Sequence, residues 1–214
     1  FTAQAFITTD KDGNQITSFH PGAMMSQNIS VLSATKTKIG IVSPNSYQAM
    51  TQNSDDFFNR NINFIFDPGQ ALPMFESTDL TQFISKATWI AVNEHEGEML
   101  ANKTGVALEK LAHNLLNNEL GCVFQTLGKK GCMVFTKKGS SLIEPIQVSK
   151  SADPTGCGDA FFAITSIMIN SNLEEELIPF IGNVYAGMHS QFFGNKKIIN
   201  KVSLLKHIKS ILNR

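Results

Sequence analysis

Nothing in the charge of this chain points to a polyanionic partner. Its 214 residues carry 18 Lys+Arg against 18 Asp+Glu, a formal net charge of zero. A nucleic acid or an anionic membrane surface is held by a basic field, and a balanced chain supplies none. The Lys-rich end (Lys196, Lys197, Lys201, Lys206, Lys209) is spread over a loop and a helix, the pattern of a solvated face and not of a binding patch. Cysteine is scarce. Cys122, Cys132 and Cys157 make an odd set with no close metal-like spacing, so neither a disulfide framework nor a zinc site is indicated, and a reducing, cytoplasmic setting is the expectation. No run approaches the ~18 consecutive apolar residues of a membrane span. Internal repeats and low-complexity stretches are absent. The chain also lacks an initiating Met, opening at Phe1 inside a strand-like segment, so a chain whose start is missing is expected.

What is present fits a single globular domain. A content of 42% hydrophobic and 17% charged residues is ordinary for a packed chain, and this length can bury a sizeable core. Residues 1–10 and 15–19 are β-prone and flank Asp12-Gly13, a strong hairpin signal, closed by His20-Pro21-Gly22-Ala23-Met24. From Lys38 onward short apolar runs alternate with helix-length segments. The runs are 39–42, 62–66, 89–92 and 122–124. Ser77 or Thr78 is positioned to cap a helix through Lys86. Leu108, Leu111, Ala112, Leu115 and Leu116 have amphipathic helical spacing. Residues 133–135 and 142–148 read as antiparallel strands. Val202, Leu205, Ile208 and Leu212 form one stripe of a terminal helix, expected to face the core. Short buried strands separated by helices predict an α/β fold: a mostly parallel, Rossmann-like sheet in three layers, with helices on both faces.

In such a sheet, ligands bind beyond the carboxyl ends of the strands. The residues to examine there are 43–45, 67–69, 93–96 and 126–131. Asn93 and Glu96 lie three apart and share a face if helical. An amide and a carboxylate so placed can hold the water shell of Mg²⁺. The same spacing is also a capping box, and the two roles are compatible. His95 between them reads as structural or exposed. Thr126, Gly128 and Gly131 have the spacing of an ordinary hairpin loop, a common use of glycine, and alone they form a weak motif.

The stretch that organises the chain is Asp153-Pro154-Thr155-Gly156-Cys157-Gly158-Asp159, running directly into an apolar helix-length segment. A Gly-rich turn opening a helix aims backbone N–H groups at one point, where the helix dipole adds partial positive charge, and a phosphate suits that point. Asp159 beside an anion is out of place unless it takes a proton from a hydroxyl that attacks the phosphate. The plain alternative is an Asp favouring the helix dipole.

This heptapeptide resembles the signature of the ribokinase-like (PfkB-type) carbohydrate and nucleoside kinases, Asp-Thr-x-Gly-Ala-Gly-Asp. Pro154 stands where Thr is commoner and Cys157 where Ala is commoner. The Asn93–Glu96 and Thr126–Gly131 stretches resemble the family's Asn-x-x-Glu and Thr-x-Gly-x-x-Gly motifs. The hairpin with Pro21-Gly22-Ala23 resembles the strand pair beside the substrate site, a remnant of the lid, in bacterial adenosine- or sugar-kinase-type members. The resemblance implies Asp159 as catalytic base and an anion hole from the amides of Gly156, Cys157 and Gly158. It implies nucleotide contacts at Thr126, Gly128, Gly131, Asn183 and Ala186, with Gly182 and Gly194 in the adenine-side helix and its end. It implies Mg²⁺ organised through water by Asn93 and Glu96, and a monovalent cation such as K⁺ at Asp153 and Thr155. The implied activity is transfer of the γ-phosphoryl group of ATP to a primary hydroxyl of a nucleoside, adenosine favoured, or of a sugar of ribose or fructose type. A nucleotide-binding remnant without kinase activity is the reading of another class. Partners are then ATP and a small-molecule acceptor, with no nucleic acid and no membrane; a homodimer is an arrangement that related lids use. The resemblance implies one kinase domain over residues 1–214, incomplete at its N-terminus, with residues 1–24 as the hairpin beside the substrate site. In related chains a long portion with a Gly-Gly motif precedes this hairpin. No equivalent occurs here, so part of the substrate site is expected to lie outside this sequence.

Overall fold

The structure, a computed structural model, describes residues 1–11, 15–25, 36–116, 121–148, 151–169, 171, 173, 176–194 and 196–213. Two antiparallel strands, β1 (Gln4–Thr9) and β2 (Gln15–His20), form a separate hairpin in the register Gln4↔His20 to Thr9↔Gln15. The pairing is the one the sequence predicts; the Asp12-Gly13 turn itself lies outside the described residues. Phe6, Ile7, Ile16 and Phe19 on these strands are all exposed.

Among the described residues the main sheet has six strands in chain order. They are β3 (Gly40–Val42), β4 (Phe64–Phe66), β5 (Trp89–Asn93), β6 (Cys122–Thr126), β7 (Cys132–Thr136) and β8 (Gly139–Ile143). β3 to β6 pair in parallel, and β6–β7 and β7–β8 are antiparallel. The parallel strands are joined through helices α1 (Tyr47–Asn59), α2 (Ser77–Lys86), α3 (Glu94–Thr104) and the short α4 (Leu108–Leu111). The chain then runs through α5 (Cys157–Met168), α6 (Leu177–His189) and α7 (Lys201–Leu212).

Strand alternation divides the apolar residues between two cores. Phe64, Phe66, Ile90, Val92 and Val123 face α1 to α4 in one core, while Ile65, Trp89, Ala91, Cys122 and Phe124 join Phe161 of α5 and Ile178 of α6 in the other. Helices therefore cover both faces, as the alternating pattern predicts. In the first core Phe66 stacks on Phe83 at 4.7 Å between ring centroids, and Phe66 is fully buried. In the second, α6 comes so close to α5 that a Cβ on Gly182 would stand 2.6 Å from the Phe161 ring. Among the described residues no helix is long and apolar enough to cross a membrane.

Four local expectations are corrected. α2 begins at Ser77 with Glu76 in the cap position, because the Glu76 N–H donates to Asp79 Oδ2 at 3.0 Å. The helix at 108–116 is one α-turn and a 3-10 turn, Ala112–Asn114; the Leu116 N–H donates to Ala87 O at 2.9 Å, which draws the chain out of the helix. β8 starts at Gly139, not at Leu142, since Thr136 pairs directly with Gly139 and only Lys137 and Lys138 turn the hairpin. On α7, Val202, Leu205 and Leu212 are exposed and Leu204 is buried, so the stripe predicted to face the core is not the one that does.

Candidate active site

The carboxyl ends of β4, β5 and β6 and the start of α5 enclose a cleft of about 360 Å³. Asp67, Asn93, Glu96, Thr126, Gly158 and Asp159 line it, with Phe161 and Phe162 as part of its apolar wall. The strand-end rule thus locates the cleft, and residues of three predicted motifs, Asn93 and Glu96, Thr126, and Gly158 with Asp159, meet there.

Asn93 ends β5 and caps α3. Its Oδ1 accepts from the Glu96 N–H at 2.8 Å, and its own N–H donates to Glu96 Oε2 at 2.8 Å. The capping box is therefore real. It uses one carboxylate oxygen of Glu96, and both residues still line the cleft. His95 is exposed.

Asp67 is a site residue that the motif reading did not single out, although it follows β4 at the sheet's carboxyl edge. Its carboxyl is pushed up to about 7, first by burial and then by the charges of Glu96 and Asp159, while the Gly69 N–H acts in the opposite direction. Three carboxylates thus share one field, and among the described residues no Lys or Arg lines the cleft. Such a field favours a bound cation. Among the described residues no three His, Cys, Asp or Glu side chains are close enough to ligate one ion directly. A hydrated divalent ion, held through its waters, suits this donor set.

The signature turn approaches from the α5 side. Gly156 adopts φ +78°, a left-handed conformation that glycine reaches without strain, and α5 starts at the next residue. Asp159 falls in the first turn of α5 and is exposed to the cleft. One expectation changes here. The Cys157 N–H donates to Pro154 O at 3.1 Å inside the turn, so one of the three amides expected at an anion hole is already engaged. The Cys157 thiol donates instead to Ala186 O at 3.6 Å.

Asp153 ties the turn together. Its Oδ1 accepts from the Thr155 N–H at 2.9 Å and its Oδ2 from the Gly194 N–H at 3.2 Å. The Thr155 N–H is the main cause holding the Asp153 carboxyl below its ordinary value; the Thr155 side chain, the Gly194 N–H and the charge of His189 add to it, against a smaller desolvation effect. The two side chains expected at a monovalent-cation site are thus engaged with each other and with backbone N–H groups.

On the β6 side, Thr126 ends its strand inside the cleft. Gly128 to Lys130 form a 3-10 turn between β6 and β7, so the hairpin reading of this loop holds as geometry. Gly131 has φ +96°, and a Cβ there would stand 2.2 Å from Ile143 O. Asn183 is buried and gives its Nδ2 protons to Ile143 O and Glu144 O, at 3.0 and 3.1 Å, stapling α6 to the end of β8. Ala186 packs against the second core.

A mixed α/β sheet, with a glycine turn opening a helix beside an acidic cleft at its carboxyl edge, has the architecture of a phosphate-handling α/β domain. The pfkB family carbohydrate kinase pattern matches residues 2–174, and the chain belongs to that family. It is similar to a nucleoside kinase of Methanocaldococcus jannaschii, 29% identical over 162 residues, with 76% of this chain and 52% of the relative covered. A probable fructokinase-3 of Arabidopsis thaliana is 30% identical over 177 residues, with 75% and 50% covered. The chain thus spans about half the length of the curated relatives it matches. Among solved structures, a Burkholderia thailandensis nucleoside kinase in complex with inosine superposes with a TM-score of 0.92 at 31% identity, covering 100% of this chain and 69% of the other.

Proposed function

We propose that the protein of which this chain is a part transfers the γ-phosphoryl group of ATP to a primary hydroxyl of a nucleoside. One observation carries the reading: Asp159, at the start of the helix that the glycine turn opens, faces the same cleft as Asn93, Glu96 and Thr126. The acceptor hydroxyl oxygen forms the new bond to the γ-phosphorus, and its proton passes to the Asp159 carboxylate. The bond from the γ-phosphorus to the β–γ bridging oxygen breaks, and ADP leaves. Gly156 and Gly158 N–H groups and the α5 dipole receive the charge that spreads over the transferring group. Thr126 and the Gly128–Gly131 loop hold nucleotide from the β6 side. When bound, Mg²⁺ supplies charge neutralisation on the phosphate oxygens. Asn93 and Glu96 would hold its waters, with Asp67 behind them.

Nucleoside kinases among the relatives favour a nucleoside acceptor, and the Burkholderia thailandensis protein has been solved with inosine and with ADP-inosine. Purine nucleosides, adenosine included, are the class proposed. Likeness to probable fructokinases supports a sugar as the second reading. An ATP-consumption panel over purine nucleosides, ribose and fructose, run with the whole protein, decides. Turnover is expected with nucleosides. Turnover with sugars alone would transfer the reading to the sugar kinases. ADP binding without turnover would leave only a nucleotide-binding remnant.

A further inference from the structure

His189 is the last residue of α6 and is only 8% exposed. It belongs to no motif, and nothing above gives it a function. An ideal Cβ on Gly156 would stand 3.2 Å from its Nε2 and 4.0 Å from Oδ2 of Asp159. The imidazole is therefore seated against the left-handed residue from which α5 starts. Among the described residues no hydrogen bond engages its ring. The charge of the same ring reaches the Asp153 carboxylate of the signature turn, which an aliphatic side chain of that size would not do.

The backbone around His189 grips the same turn. Ser190 O accepts from the Ala152 N–H at 2.7 Å and from the Asp153 N–H at 3.0 Å. The Gly194 N–H reaches Asp153 Oδ2, and the Cys157 thiol reaches Ala186 O. The end of α6 is a clamp on the signature turn, and His189 is the side chain it presses on Gly156.

We propose that His189 is a positioning residue for the anion hole. Its imidazole holds Gly156 in its left-handed conformation and so sets the aim of the Gly156 and Gly158 amides. The proposal rests on the kinase reading above. It also asks for the polar nitrogen and not only for the volume of the ring.

The test compares His189→Leu and His189→Gln in the full chain, with kcat, KM for ATP, melting temperature and hydrogen–deuterium exchange of the 152–158 segment measured together. A displaced catalytic group costs up to ~10²-fold, so His189→Leu should lower kcat about 10- to 100-fold with little change in KM. Exchange across 152–158 should quicken in the same variant. His189→Gln, whose amide nitrogen reaches the place of Nε2, should recover most of both. A His189→Leu protein with unchanged kcat and unchanged exchange overturns the proposal. Equal losses in Leu and Gln, with a matching fall in melting temperature, overturn it too, because packing alone then explains the residue. If the wild type turns over no acceptor, the kinase reading fails on its own, and exchange still decides His189: quickened in Leu and restored in Gln supports it, unchanged in Leu overturns it.

Discussion

Asp159→Asn separates chemistry from folding more cleanly than any other substitution in this site. Asp159 sits in the first turn of α5, exposed, and its Oδ2 lies 4.0 Å from the place a Cβ would take on Gly156. Removing its charge from the helix start forfeits about 0.3–1 kcal/mol at most, the usual worth of an exposed charge on a helix dipole. Removing the proton acceptor costs far more in rate, about 10²–10⁴-fold for a lost general base. A second effect is specific to this structure. Asp159 is one of the two charges that hold the Asp67 carboxyl at about 7. Without it that value should fall, while burial and Glu96 still keep it above the ordinary aspartate range. The assay is kcat on the whole protein with a purine nucleoside, the urea midpoint of the same preparation, and a carboxyl titration of Asp67 followed by carbon NMR. Expected are a loss of turnover, an almost unmoved midpoint and a lowered Asp67 transition. A kcat within a few-fold of wild type removes Asp159 as the base. A large fall in midpoint with turnover per folded molecule preserved makes it a structural Asp.

Asp67 should also leave its mark on stability. Because its folded value of about 7 lies above the unfolded one of 3.8, the folded state binds the proton more tightly, and stability falls as pH rises through that window. Asp67→Asn should therefore raise the urea midpoint at pH 8 and converge on wild type toward pH 4; equal midpoints at both pH values would contradict the raised carboxyl. Glu96→Gln keeps an oxygen for the Asn93 N–H, so its melting temperature should stay close to wild type while the Mg²⁺ concentration for half-maximal turnover rises. A fallen melting temperature with unchanged Mg²⁺ dependence would show that Glu96 only caps α3. Gly131→Ala puts a Cβ 2.2 Å from Ile143 O at φ +96° and should destabilise the fold by about 1–3 kcal/mol or more, read from the urea midpoint. A midpoint equal to wild type would mean the loop has another conformation open to it.

The sequence alone settled what local chemistry settles. Alternating strands and helices, the hairpin between two β-prone runs, the Asn93–Glu96 capping box and the glycine turn opening α5 all depend on neighbours within a few residues. Backbone sterics and short-range hydrogen bonds express themselves at that range. Packing partners are not local. α7 has apolar residues on more than one side, and packing against the neighbouring α6 accompanies the burial of Leu204 while Val202 stays exposed. The helix at 108 ended early because Ala87 O, more than twenty residues away along the chain, takes the Leu116 N–H. Asp67 was readable as a strand-end residue, but its raised carboxyl was not. That shift comes from burial together with Glu96 and Asp159, which lie far apart in sequence and meet only where the strand ends and α5 converge. His189 was hidden for the same reason: nothing near it in sequence marks it, and only folding lays the end of α6 against Gly156. Short-range stereochemistry writes motifs into sequence, whereas the field and contacts of a site arise when distant segments share a small volume of low dielectric.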